Sequence, residues 1–128
     1  MKITLTPTES EEYFYNALCN GLGYLRQYGI ELDYNDNEYY TSRSKLGTPT
    51  SLPSYEDVFM QMLRDGYKLT FTDTEYGMDP VGITIKDVHE KVQNTPLRHL
   101  MDMVNENDDA DTADVILQTV LYNEIIFG

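Results

Sequence analysis

Asp108-Asp109-Ala110-Asp111-Thr112-Ala113-Asp114 runs directly into Val115-Ile116-Leu117-Gln118-Thr119-Val120-Leu121-Tyr122-Asn123-Glu124-Ile125-Ile126-Phe127. Ala113, Ile116, Leu117, Val120, Leu121 and Glu124 repeat at the spacing of one helix face, apolar up to Glu124. Asp109 or Asp111 suits the N-cap, and acids in a first turn complement the positive end of the helix dipole. The stretch therefore predicts a C-terminal helix in the core with negative charge at its mouth.

The 128 residues suit a single domain, and a hydrophobic fraction of 41% in periodic clusters marks a folded chain. Twenty-two acidic residues stand against nine basic ones, a formal charge of −13. Such a surface disfavours direct contact with nucleic acid or anionic membranes and favours a basic protein partner. Cys19 is the one cysteine, so neither an intrachain disulfide nor a cysteine-rich zinc site is expected. It reads as a small buried residue. The start of the chain lacks the apolar core of a signal peptide, and no stretch is long and apolar enough for a membrane span. A soluble, cytoplasmic protein is expected.

Upstream, Ile3 and Leu5 alternate with polar residues as a short strand stopped by Pro7. Thr8 or Ser10 then caps a helix carrying Phe14, Ala17, Leu18, Leu22 and Leu25, with a break or kink at Gly21 and Gly23. Gly29 ends that helix, and Ile30 to Tyr34 alternate as a strand. Asn35 to Pro53, rich in Asn, Thr, Ser, Gly and Pro, reads as a long irregular loop. Ser54 with Asp57, and Thr84 with Asp87, mark two further helix starts, with a hairpin from Lys68 to Ile83 between them. Thr95-Pro96 opens a helix with the stripe Leu97, Leu100, Met101 and Val104. A helix-glycine-strand-aspartate pattern occurs twice, at Gly29 and at Gly66. The class is α+β, a small, mainly antiparallel sheet of about four strands packed against about five helices.

Motifs for chemistry are sparse. Asn105, Asn107, Asp109 and Asp111 alternate as an EF-hand requires, but Ala110 holds the glycine position and Ile116 the glutamate position. Asp33, Asn35 and Asn37 fail likewise at Glu38 and Ser44. His89-Glu90 lacks the second zincin histidine, because Gln93 stands there. Nothing in sequence pairs His89 or His99 with a nucleophile, and Gly21-Leu22-Gly23 is no dinucleotide fingerprint. No catalytic residue, cofactor or metal is expected.

Acids cluster in two stretches: Glu31, Asp33, Asp36 and Glu38, and Glu106, Asp108, Asp109, Asp111 and Asp114. Sharing a face, they would form one docking surface for a basic partner; the bland alternative is that the charge serves solubility. Among the 11 tyrosines, Tyr28, Tyr34, Tyr39 and Tyr40 cluster around the long loop with its acids, the last three beside the first stretch, and tyrosine is a favoured interface residue. Tyr13, Tyr55, Tyr67 and Tyr122 read instead as half-buried lids over the core.

The ending Asp-Ala-Asp-x-x-Asp-Val-Ile-Leu-Gln at 109–118, with Asn-Glu-Ile-Ile-Phe-Gly at 123–128, resembles the close of small acidic proteins from phages and conjugative elements of gut bacteria. Leu69 to Val92 fit that resemblance, which covers roughly the C-terminal half. It implies a mobile-element setting, where such proteins act on host nucleic-acid-binding machinery. The leading expectation is a non-enzymatic binding protein that docks on a basic, nucleic-acid-binding protein, as a nucleic-acid mimic or inhibitor. A homo-oligomeric assembly module and a small enzyme or metal binder are the alternatives.

Overall fold

The computed structural model describes residues 4–47, 53–106 and 109–128. Among them are six α-helices and one three-stranded antiparallel sheet. Helix α1 (Pro7–Gln27) is capped by Thr6, ahead of the expected Thr8 or Ser10. Thr6 and Glu9 form its capping box and Pro7 takes the first helical position, so the proline opens a helix rather than closing a strand. Residues 4–6 form no strand; Leu5 is buried, and its N–H donates to Gln93 Oε1 at 3.2 Å. The rest of that expected strand, with Ile3, lies outside the described residues.

The break expected at Gly21 and Gly23 is absent. Helix α1 runs through both, because Gly21 is where α6 (Ala110–Tyr122) lies against it. A Cβ at Gly21 would stand 2.9 Å from Leu117 Cδ1 and 3.1 Å from the Ala113 carbonyl carbon. At Gly23 it would meet nothing within 4 Å. Cys19 lies on the exposed side of α1, contrary to the expectation of burial.

Both helix-glycine-strand units are real. Gly29 and Gly66 take φ values of +87° and +91°, turning the chain from α1 into β1 (Ile30–Asp33), and from α3 (Tyr55–Arg64) towards β2 (Leu69–Asp73). The two strands pair with each other, Leu32 opposite Phe71, and β3 (Val81–Ile83) pairs on the far side of β2. Ile30, Leu69, Phe71 and Ile83 turn their side chains into the core. The turn after β2 is held by Asp73, whose carboxylate accepts from the N–H groups of Glu75, Tyr76 and Met78.

The largest departure is α2 (Asp36–Leu46), which occupies most of the expected loop; residues 48–52 lie outside the described residues. Its sequence shows no apolar stripe because only Tyr39 and Ser42 are buried. Instead, Asn35 accepts from the Glu38 N–H as N-cap. Asp65, at the end of α3, then fastens α2 by accepting from Ser42 Oγ at 2.7 Å and pairing with Lys45 at 3.0 Å. Burial alone would raise the Asp65 pKa, but the bonds from Ser42, Lys45 and Gln61 hold it below the usual carboxylate range.

Helix α3 and α4 (Ile85–Lys91) begin at the expected capping boxes of Ser54 with Asp57 and Thr84 with Asp87. A 3₁₀ turn, Val92–Asn94, leads to α5 (Leu97–Val104), where Pro96 rather than Thr95 holds the N-cap position. The expected α5 stripe divides. His99, Leu100 and Met103 face the core, whereas Leu97, Met101 and Val104 are exposed. Helix α6 is capped by Asp109 and buries Ala113, Ile116, Leu117, Val120 and Leu121, as its periodicity requires. It stops at Tyr122, before Glu124, because Asn123 adopts φ +59° and reverses the chain.

Candidate interaction surface

The tyrosines separate into two clusters. One is built where β1 ends and α2 and α3 begin. Tyr34 stacks on Tyr39 with ring centroids 4.8 Å apart, Tyr40 meets Tyr39 edge-on at 5.4 Å, Tyr55 lies 6.4 Å from Tyr39, and Phe59 closes the base. Tyr39 is 7% exposed and belongs to the core, so it is the support of the cluster rather than a contact residue. Tyr34, Tyr40 and Tyr55 are 37%, 63% and 67% exposed. Tyr40, Arg43 and Tyr55 border a hollow of about 400 Å³. Tyr55, read from sequence as a lid, is among the most exposed rings; its place just after the Ser54 cap turns it outward.

The first acidic stretch adjoins this cluster in sequence. Glu31 and Asp33 are exposed on β1, with Asp33 accepting from Thr72 Oγ1 at 2.7 Å. Asp36 is exposed and Glu38 half-buried, both in the first turn of α2, where they complement its dipole.

Two acids of the second stretch, Asp109 and Asp114, are used within the fold. Asp109 caps α6, and the Thr112 N–H, 3.0 Å away, holds its carboxyl below the usual range. Asp114, expected at the surface, is 8% exposed and accepts from Tyr28 Oη at 2.8 Å and Gln118 Nε2 at 3.0 Å. Asp111 is exposed, 3.4 Å from the Tyr24 hydroxyl, and Glu106 is exposed with φ +58°. Asp108 lies outside the described residues. Among the described residues no hydrogen bond, ion pair or ring contact joins the two stretches. Helix α6 packs mainly on α1, β1 on β2, and α2 on α3. Of the acids in the two stretches, Asp114 is interior and Glu38 half-buried, whereas Glu31, Asp33, Asp36, Glu106, Asp109 and Asp111 are exposed.

The second tyrosine cluster is closed over Tyr28, with Tyr76 at its rim 64% exposed. Residues beyond Asn123 fold back over α6, and the fully buried Gln118 fastens them. Its Oε1 accepts from the N–H groups of Ile126 and Phe127 at 2.8 and 2.9 Å, and its Nε2 donates to Phe127 O at 3.0 Å. The Phe127 ring then stacks on Tyr28 at 4.9 Å, with Tyr76 and Tyr122 beside it. Gln118 was invisible as a functional position in sequence. Its one signal is a glutamine inside an apolar run on a helix buried nearly all round.

Of the two histidines, His99 is buried. Its Nδ1 lies 3.1 Å from Thr112 Oγ1 and its Nε2 accepts from Arg98 at 3.3 Å, which makes Nδ1 the protonated nitrogen and ties α5 to the start of α6. His89 Nε2 lies 2.8 Å from Glu11, whose other oxygen pairs with Arg64 at 2.7 Å. Burial would raise the Glu11 pKa, but Arg64 and then His89 bring it below the usual range. This triad joins α1, α3 and α4. No group of three metal-ligating side chains converges among the described residues, and no helix among them is long and apolar enough to cross a membrane. No protein-family model matches the chain, and no curated protein or solved structure is significantly similar to it.

Proposed function

We propose that this chain is a non-enzymatic binding protein whose acidic, tyrosine-bearing surface docks on a basic, nucleic-acid-binding protein in a cytoplasmic, mobile-element setting. The exposed rings of Tyr34, Tyr40 and Tyr55, together with the exposed Glu31, Asp33 and Asp36 of the same β1–α2 segment, are the observation that carries this reading. Aromatic faces beside carboxylates suit the lysine and arginine side chains of a partner, through cation–π contact and ion pairing at once. The formal charge of −13 adds long-range attraction to a basic surface and repels nucleic acid, as a nucleic-acid mimic must. The test is binding to a basic DNA-binding protein across a salt series, with duplex DNA as competitor. Affinity that falls with salt and is lost to competing DNA is expected; binding indifferent to salt, or none, overturns the proposal.

A second reading, a homo-oligomeric assembly module, is favoured by one observation. Leu97, Met101 and Val104 form an exposed apolar line along α5 at a spacing that puts them on one helix face. Sedimentation over a range of concentrations decides it. A monomer throughout rejects this reading, and a dimer dispersed by Met101→Lys supports it.

A further inference from the structure

We infer that the free edge of β1 receives an extended partner segment, in which basic residues alternate with an apolar one, as an added strand of the sheet. This rests on the proposed docking function and names the element that executes it. The strand order β1-β2-β3 leaves β1 at one edge. Thr74 N–H donates to Gly29 O at 2.8 Å, which makes Gly29 and Thr74 a hydrogen-bonded pair of the antiparallel ladder. Such pairs alternate along the register, so Glu31 and Asp33 direct their backbone groups at β2, whereas Leu32 directs its N–H and C=O outward. Among the described residues neither outward group has a hydrogen-bond partner.

The same edge opens on a cavity of about 310 Å³, bordered by Leu22, Arg26, Glu31, Leu32, Phe59 and Phe71. Leu32 and Phe71 line it from the inner face of the sheet, while Glu31 belongs to the outer face. A cavity touching both neighbours on one strand abuts its edge. A residue added opposite Leu32 would turn its side chain into this apolar space, and its two neighbours would turn outward beside Glu31 and Asp33.

Charge selects the occupant. If a second copy of this chain paired through β1 with the faces matched, Glu31 would stand opposite Glu31 or Asp33 of that copy, an arrangement of like charges that is destabilising. A segment with lysine or arginine on the outer face and a β-branched residue between them satisfies the carboxylates, the cavity and the Leu32 backbone together. Arg26, on the α1 wall, disfavours a cation at the inner position.

The experiment titrates the whole protein with a blocked peptide alternating lysine and valine and follows amide exchange by NMR. Exchange at the Leu32 amide is expected to slow by about tenfold or more at saturation. Affinity should fall by about tenfold in the same peptide N-methylated on alternate amides, and Glu31→Lys should shift preference towards a glutamate–valine peptide. Absence of binding, or binding that leaves the Leu32 amide unchanged or ignores N-methylation, overturns the inference. Salt-dependent capture of a basic protein that persists in those cases, and is weakened by Tyr40→Ala, leaves the docking surface standing without strand addition. Loss of that capture as well removes both.

Discussion

Two tyrosine clusters of similar composition serve opposite ends in this molecule. Around Phe127, Tyr28 lies under a returning chain, its hydroxyl committed to Asp114, and Gln118 bonds the chain that covers it. Around Tyr39, the rings of Tyr40 and Tyr55 stay in solvent, supported from beneath but covered by nothing described. The difference lies in burial: Asp114 beside Tyr28 is satisfied inside the fold by Tyr28 and Gln118, whereas the rings of Tyr40 and Tyr55 and the acids Asp33 and Asp36 stay in solvent.

The largest expected effect breaks the closed cluster. Gln118→Leu removes the tail's fastening and leaves Asp114 short of a donor, at a cost of about 3 kcal/mol in stability by equilibrium denaturation, with the amides of Ile126 and Phe127 losing exchange protection. A loss below about 0.5 kcal/mol would show that the tail is not held in this way. The open cluster should respond the other way. Tyr40→Ala with Tyr55→Ala should leave stability within about 0.5 kcal/mol while weakening capture of a basic partner by about 2 kcal/mol, measured by calorimetry. Unchanged affinity would remove these rings from the interface.

Along the α1–α6 seam that supports the closed cluster, the two glycines should behave oppositely. Gly21→Ala drives a methyl against Ala113 and Leu117 and should cost about 1 kcal/mol after its gain in helix propensity. Gly23→Ala meets nothing and should stabilise by about 0.5 to 1 kcal/mol. Equal thermal shifts for the two would contradict the seam.

The last effect is confined to alkaline pH. Burial and then the bond to Asp114 raise the Tyr28 pKa from 10.0 to about 12. A raised value in the folded state means the folded chain keeps this proton longer than the unfolded one. The associated stability is therefore complete below pH 10 and is lost as pH rises towards 12. Tyr28→Phe should flatten that limb of the stability profile without abolishing it, because Tyr15, beside Asp57, is likewise raised to about 12. An unchanged limb would show that the Tyr28–Asp114 pair is not the source.

Legibility in the sequence followed the strength of local chemistry. Ser54 with Asp57, Thr84 with Asp87 and Asp109 were readable as caps because a side chain three residues from its target needs no tertiary partner. Helix α2 was not readable. Its apolar content is too low to show a period, and it is held by Asp65 from another helix. The candidate surface was half readable. Glu31, Asp33, Tyr34, Asp36 and Tyr40 are near one another in sequence and stay exposed, whereas Asp114 looks equally acidic and is buried by Tyr28, 86 positions away.

From the sequence alone, then, came the α+β class, the buried face of α6, the helix starts and the excess of negative charge, all set by local spacing and composition. Only the tertiary structure decided which acids are interior, which tyrosines face solvent, that α2 is a helix and that Gly21 lies at a helix contact. Each of those depends on a partner distant along the chain, and the burial that such a partner imposes, rather than residue type, determines whether a carboxylate or a ring builds the fold or faces outward.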